Sequence, residues 1–308
     1  MTTTGPSASL AAAGAPPRWY GHRLNRGAWY RALAVVAATL PRALRLRLAA
    51  GVADVLRQPF AAERAVVGDN VGRIRPEATP AERAALVNGV FRHFAMCFSD
   101  LVTANRGAGI ERLLGAIEGE HHLETMTRTG RGAVVLTAHL GNWEVAGRLM
   151  ALRMGRPTHV VVAPEVDRGV EHFLRGGPAP VRFVTRNEPR AALPLIAALR
   201  RGEIVAMQGD RALGGRGDAR VSFFGEQALF PLGPFILARA AGVPVVPAFC
   251  VLRRDRRYTV RVGEAIPVSA EHERVALEQW VRLLERMVRA YPEQWFNFFD
   301  VWGTAAAR

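Results

Sequence analysis

The chain has 308 residues, 49% of them hydrophobic and 22% charged, a balance that supports a folded globular core and excludes disorder or a collagen-like repeat. Its formal net charge is +14, and every basic residue is Arg; without a single Lys, a P-loop lysine, a Schiff-base lysine and a Ser-Lys dyad are all excluded. An excess of that size calls for anionic surroundings, whether nucleic acid, anionic lipid or an acidic protein. Cys97 and Cys250 stand far apart in apolar settings and read as small buried hydrophobes. No CxxC, Cys/His ligand spacing or HExxH points to a metal.

Residues 1–20 read as a disordered leader, small and rich in Pro and Gly, without the charge and apolar run of a signal peptide. Residues 21–58 follow as membrane-associating helices. In "WYRALAVVAATLPRALRLRLAAGVADVL" the longest uncharged run, Ala32 to Pro41, is about half the ~20 residues a bilayer span needs. Arg31, Arg42, Arg45 and Arg47, led by Trp29 and Tyr30, suit helices lying in the membrane interface; a pair of core helices with snorkelling arginines is the other reading. Residues 59–130 read as helical. "TPAERAALVNGVFRHFAMCFSDLV" opens on a helix-start signal and keeps helical apolar spacing to Val102, and "GIERLLGAIEGEHHLETMTRTG" reads as two shorter helices closed by Gly130.

From residue 131 to 308 the pattern alternates. "GAVVLTA", "THVVVA", "EIVAMQ", "VPVVPAFCVL" and "YTVRVGEAI" are β-branched runs, most of them separated by helical segments, which predicts an α/β fold with a central sheet flanked by helices. The last two runs form a hairpin, so the sheet is mixed. A long amphipathic helix then stops near Pro292. Nothing after residue 20 reads as a linker, and the rest of the chain is read as one domain.

Two stretches carry candidate chemistry. In "VVLTAHLGNWEVAG" a strand ends one residue before His139, at the sheet edge where α/β proteins bind ligands. Asn142 can cap the next helix, and Glu144 can fold back under the imidazole, fix its tautomer and leave the other nitrogen as a general base. The same residues also read as ordinary turn and helix-start choices. In "AMQGDRALGGRGDARVSFFGEQALFPLGP", Gly209, Asp210 and Arg211 follow another strand, and Arg211 suits a phosphate or carboxylate. Phe223, Phe224 and Phe230 offer either core or a substrate wall. No GxSxG elbow and no helix-turn-helix, RNP or zinc-finger pattern appears, so a serine hydrolase and a nucleic-acid binder are set aside.

"AHLGNWE", "GDR", "FFG" followed by "PLGP", and "YPEQWF", in that order, resemble the lysophospholipid and lipid A biosynthesis acyltransferase family. That family includes lauroyl and myristoyl acyltransferases and phosphatidylinositol mannoside acyltransferase. "LPRALRLRLAAGVADVL" and "VVGDNV" near Asn70 resemble its membrane-proximal opening. The resemblance implies a glycerolipid acyltransferase-like fold on the cytoplasmic face of the bacterial inner membrane. It implies O-acyl transfer from an acyl carrier protein or coenzyme A thioester to a hydroxyl of a lipid or glycolipid, with no resident cofactor and no acyl-enzyme. His139 and Glu144 are then the catalytic pair. Asn142 and Arg211 are oxyanion or anion contacts, Asp210 orients Arg211 or the acceptor, and Arg186 in "VTRNEPR" is a further anion contact. An anionic membrane surface is the expected partner; a noncatalytic membrane-surface scaffold on the same fold is the alternative. The tail "FNFFDVWG" lacks the His-Arg pair of lipid A enzymes, and Arg211 stands where many carry Gln, which points toward another lipid acceptor.

Overall fold

The structure is a computed structural model that describes residues 31, 34–37, 39–104, 109–163, 169–171, 181–185, 192–212, 214 and 217–303. The leader, Arg186 and most of the Gly-rich loop after Ala212 lie outside the described residues. Helices α1 (Arg42–Leu56), α2 (Ala61–Ile74) and α3 (Pro80–Ala104) come first. α3 opens on a reciprocal capping box. The Glu82 carboxylate accepts from the Thr79 backbone N–H at 2.8 Å, and the Thr79 hydroxyl accepts from the Glu82 N–H at 3.3 Å.

A seven-stranded sheet follows, built from β1 (Leu114–Glu118), β2 (Ala133–Thr137), β3 (Thr158–Val162), β4 (Val181–Thr185), β5 (Ile204–Gln208), β8 (Val245–Leu252) and β9 (Tyr258–Val262). In space the order is β1-β9-β8-β2-β5-β3-β4, parallel at every pairing except the β8–β9 hairpin. The α/β expectation holds, as does the mixed sheet. β6 (Asp218–Phe223) and β7 (Glu226–Pro231) form a separate antiparallel hairpin.

One expectation is corrected. The segment read as two short helices after residue 109 is a 3₁₀ turn, Ile110–Leu113, then strand β1, and only then α4 (Glu120–Arg128). Leu114 to Glu118 is neutral in local preference, and pairing with β9 decides its conformation.

Helices cover both faces of the sheet. On one lie α6 (Ala192–Arg200), α7 (Gly233–Ala241) and α8 (Glu273–Ala290); α4 and α5 (Trp143–Met154) pack on the other side of the core. α8 turns Ala276, Leu277, Trp280, Val281, Leu284 and Val288 inward, the 3.6-residue stripe expected of a core-facing helix. Each such large apolar side chain, fully buried, stabilises the fold by about 1.5–3 kcal/mol. Central β2 buries Ala133, Val134 and Leu136 fully and half-buries Val135 and Thr137, so it reads as a near-continuous apolar run. Phe223 and Phe230 are fully buried core, not a substrate wall.

α1 is inside out. It buries Arg45, Leu46 and Ala53 and presents Leu44, Leu48, Val52, Val55 and Leu56 to the outside. Among the described residues no helix is long and apolar enough to cross a membrane.

Candidate active site

Parallel strands β2 and β5 are adjacent, so the residues that leave their carboxyl ends, His139 and Asp210, meet at one edge of the sheet. The β2 exit is a tight turn. Gly141 has φ +64°, and a Cβ there would lie 1.7 Å from the Cys250 carbonyl oxygen, so only glycine fits. Asn142 then caps α5, its Oδ1 accepting from the Val145 N–H at 3.3 Å.

The C-terminal segment is stitched onto this turn. The Phe296 N–H donates to the His139 carbonyl at 2.7 Å, and the Gly141 N–H donates to the Gln294 carbonyl at 2.7 Å. Gln294 in turn bonds the Leu252 backbone through both ends of its amide, at 2.8 Å each, fixing the tail to β8.

That stitching assembles a buried cluster. Asp210 is fully buried, and its Oδ1 lies 2.7 Å from His139 Nδ1. Its Oδ2 accepts from the His139 backbone N–H at 3.0 Å, Trp295 Nε1 at 3.0 Å and Asn297 Nδ2 at 3.1 Å. A carboxylate with this many donors stays ionised. Burial alone would push its pKa up, but His139 beside it, the bonds from that residue and nearby Arg211 hold it well below the usual carboxylate range.

The imidazole goes the other way. Burial first, then the Arg211 charge, push the His139 pKa below the ordinary 6.5, with Asp210 opposing. His139 is therefore neutral near pH 7, with the proton on Nδ1 facing Asp210 and a lone pair on Nε2. The side chain is mostly buried, at 14% exposed. A neutral imidazole oriented by a buried carboxylate is the arrangement of a general base.

The spacing and the resemblance both set Glu144 against the imidazole; the carboxylate within hydrogen-bond distance of its Nδ1 is Asp210. The physical reason is the launch of α5. With Gly141 left-handed and Asn142 as cap, Trp143 is the helix residue that meets the imidazole, edge-on at 4.9 Å between ring centroids. Glu144 instead shares an electrostatic attraction with Arg148, one turn along α5. Together they line a narrow slot of about 30 Å³ with Thr137, Trp143 and Gln208.

Arg211 joins the site from its other flank. Its Nε donates to Asn297 Oδ1 at 2.9 Å, its Nη2 donates to the Phe296 carbonyl at 2.9 Å, and its guanidinium lies 5.2 Å over the Phe299 ring. Asn297 thus bridges Arg211 and Asp210. Asn70 holds the same tail, donating to the Asn297 and Phe299 carbonyls at 3.1 and 3.0 Å.

His139, Asn142, Asp210 and Arg211 are brought to one place; Glu144 lines the slot beside Trp143. Trp295 and Asn297 are site residues that the sequence reading did not single out. Their signal was present as polar side chains in an otherwise apolar tail block, "QWFN". Burial raises the Cys97 thiol to about 12 and lifts Cys250 further still, so neither is a poised nucleophile.

Comparison with known proteins follows the same lines. Residues 22–304 match the profile described as bacterial lipid A biosynthesis acyltransferase. The phosphatidylinositol mannoside acyltransferase of Mycobacterium tuberculosis (strain ATCC 25618 / H37Rv) is 25% identical over 206 residues, covering 63% of this chain and 60% of that protein. The enzyme of the same name from Mycolicibacterium smegmatis is 28% identical over 185 residues, 59% of this chain and 60% of that one. The lipid A biosynthesis palmitoleoyltransferase of Escherichia coli (strain K12) is 23% identical over 249 residues, 78% of this chain and 79% of that one. The matched region thus spans about 60% of the length of the mycobacterial relatives.

Proposed function

The chain belongs to the bacterial lipid A biosynthesis acyltransferase family, and we propose that it moves a fatty acyl group from a carrier-protein or coenzyme A thioester to a hydroxyl of a membrane lipid or glycolipid. The observation that carries this reading is the 2.7 Å contact between His139 Nδ1 and the fully buried Asp210. His139 Nε2 takes the proton of the acceptor hydroxyl as its oxygen attacks the thioester carbonyl. Asp210 keeps the ring in the required tautomer and stabilises the imidazolium that forms. The tetrahedral intermediate collapses with cleavage of the C–S bond, and the imidazolium returns its proton to the departing thiolate. The products are an ester and a free thiol, and no acyl-enzyme is needed.

The negative charge that develops on the carbonyl oxygen is met by the positive end of the α5 dipole, which starts beside the base, and by the Arg211 guanidinium. The relatives' names refer to phosphatidylinositol mannoside and to lipid A biosynthesis. A glycolipid is the acceptor class proposed for this chain.

The surface supports a membrane setting; the cytoplasmic side of the bacterial inner membrane is the side proposed. α1 offers Leu44, Leu48, Val52, Val55 and Leu56 to lipid tails, and the +14 chain offers arginines to anionic headgroups. Lipid mass spectrometry of a deletion strain and its complemented parent tests the reading. The expected result is a lipid lacking one acyl chain, restored by the wild-type gene and not by His139→Ala. An unchanged lipid profile would favour a noncatalytic scaffold.

A further inference from the structure

A second buried carboxylate lies apart from the reacting imidazole. Asp100 on α3 is fully buried and accepts from Arg42 Nε at 2.9 Å, Arg42 Nη2 at 2.7 Å, Arg45 Nη2 at 2.8 Å and the Tyr258 hydroxyl at 2.9 Å. Both arginines come from α1. Arg45 also donates to the Ser99 carbonyl at 2.9 Å and to the Thr103 hydroxyl.

Tyr258, at the start of β9, has one O–H to give, and it gives it to Asp100. Its lone pair is left to accept from Asn142 Nδ2 at 3.0 Å. The same amide donates to the Cys97 carbonyl at 2.9 Å and accepts the Val145 N–H on its oxygen. Asn142 is the cap of α5, three residues past His139. One directed run of hydrogen bonds therefore leads from α1, whose outer face is apolar, to the turn that holds the base.

Stability alone does not call for this design. Buried ion groups repay their desolvation poorly, and an apolar cluster of equal volume would hold α1 as firmly. The capping bond itself does not need Tyr258, since Asn142 Oδ1 takes the Val145 N–H; the Tyr258 oxygen accepts the second Nδ2 hydrogen, the first going to the Cys97 carbonyl. What the extra bonds add is a fixed direction at each junction.

We propose that Asp100 and Tyr258 are positioning residues, setting the geometry of the His139 turn through Asn142 and making it depend on how α1 is seated. The activity readout rests on the acyl-transfer reading above; the structural readout does not.

The test uses the full chain as wild type, Tyr258→Phe, Arg45→Gln and the double variant. Tyr258→Phe keeps the ring and its packing, so the fold is retained. Each protein is assayed for kcat and KM, and amide hydrogen exchange is followed at residues 140–146. Each single variant is expected to lower kcat about tenfold, with KM for the thioester within about twofold, as for groups that act through another residue. Exchange in the first turn of α5 rises in both. The double variant is expected to be no worse than the poorer single one, because both changes cut one chain of bonds. Multiplying effects in the double variant, or exchange at 140–146 unmoved in Tyr258→Phe and Arg45→Gln, would overturn the proposal. If the wild type transfers no acyl group, the functional reading fails, while the exchange data still decide the positioning claim.

Discussion

Asp210 and Asp100 are both carboxylates with no solvent exposure, yet they do opposite things. Asp100 faces two guanidiniums, so its charge is cancelled where it lies and it ties α1 to α3. Asp210 takes its hydrogen bonds from neutral N–H donors and one imidazole, with the Arg211 charge nearby, so its charge faces the proton on His139 Nδ1. Burial creates an organising point in both cases. The chemistry of the donors decides whether that point fastens helices or orients an imidazole.

Four substitutions separate the two carboxylates by experiment. His139→Ala removes the base and is expected to cost about 10³-fold or more in kcat with the melting temperature little changed, measured by acyl transfer and thermal unfolding. Asp210→Asn keeps the volume but loses the charge, and is expected to lower kcat by about 10²- to 10⁴-fold. Asp100→Ala leaves two guanidiniums facing each other in the interior, and denaturant unfolding is expected to show a loss of about 3–5 kcal/mol. Glu144→Gln is expected to be the mildest, with less than about a tenfold fall in kcat and an unmoved pH profile, since the imidazole keeps its carboxylate.

The pH dependence follows from the same geometry. The folded His139 pKa lies below 6.5, so the acid limb of kcat/KM is expected below that value, with a plateau through neutrality. For stability the sign is that of a group protonated more readily in the unfolded chain. Stability is undiminished above 6.5 and falls as the pH drops from there toward the folded pKa. Urea midpoints measured across that window should fall for the wild type and fall less for His139→Ala. Asp210, whose folded pKa is depressed, adds stability that is present above its ordinary 3.8 and is lost only as the solution becomes strongly acidic.

Much of the fold was legible because the buried strands β2, β3, β5, β8 and β9 are β-branched runs bounded by breakers. β1 was not, because "LGAIE" has little preference of its own and becomes a strand only against Tyr258–Val262. β4, "VRFVT", is an edge strand next to segments with no periodicity, and it too depends on its partner β3. The site was legible in part for a related reason. Spacing favours partners close in sequence, and so it offered His139 the carboxylate five residues away.

The carboxylate that reaches the imidazole is 71 residues on, carried there by the adjacency of β2 and β5. Trp295 and Asn297 arrive from further still, through a tail whose hydrogen bonds to the His139 turn no local pattern announces.

Proton NMR of the His139 Nδ1–H in the downfield region, compared among wild type, Asp210→Asn and Glu144→Gln, decides which carboxylate holds the imidazole. A proton donated to a buried carboxylate at 2.7 Å should give a resonance that is present in the wild type and in Glu144→Gln and is lost or moved upfield in Asp210→Asn. A resonance that survives Asp210→Asn but disappears in Glu144→Gln would contradict the account and return the imidazole to Glu144.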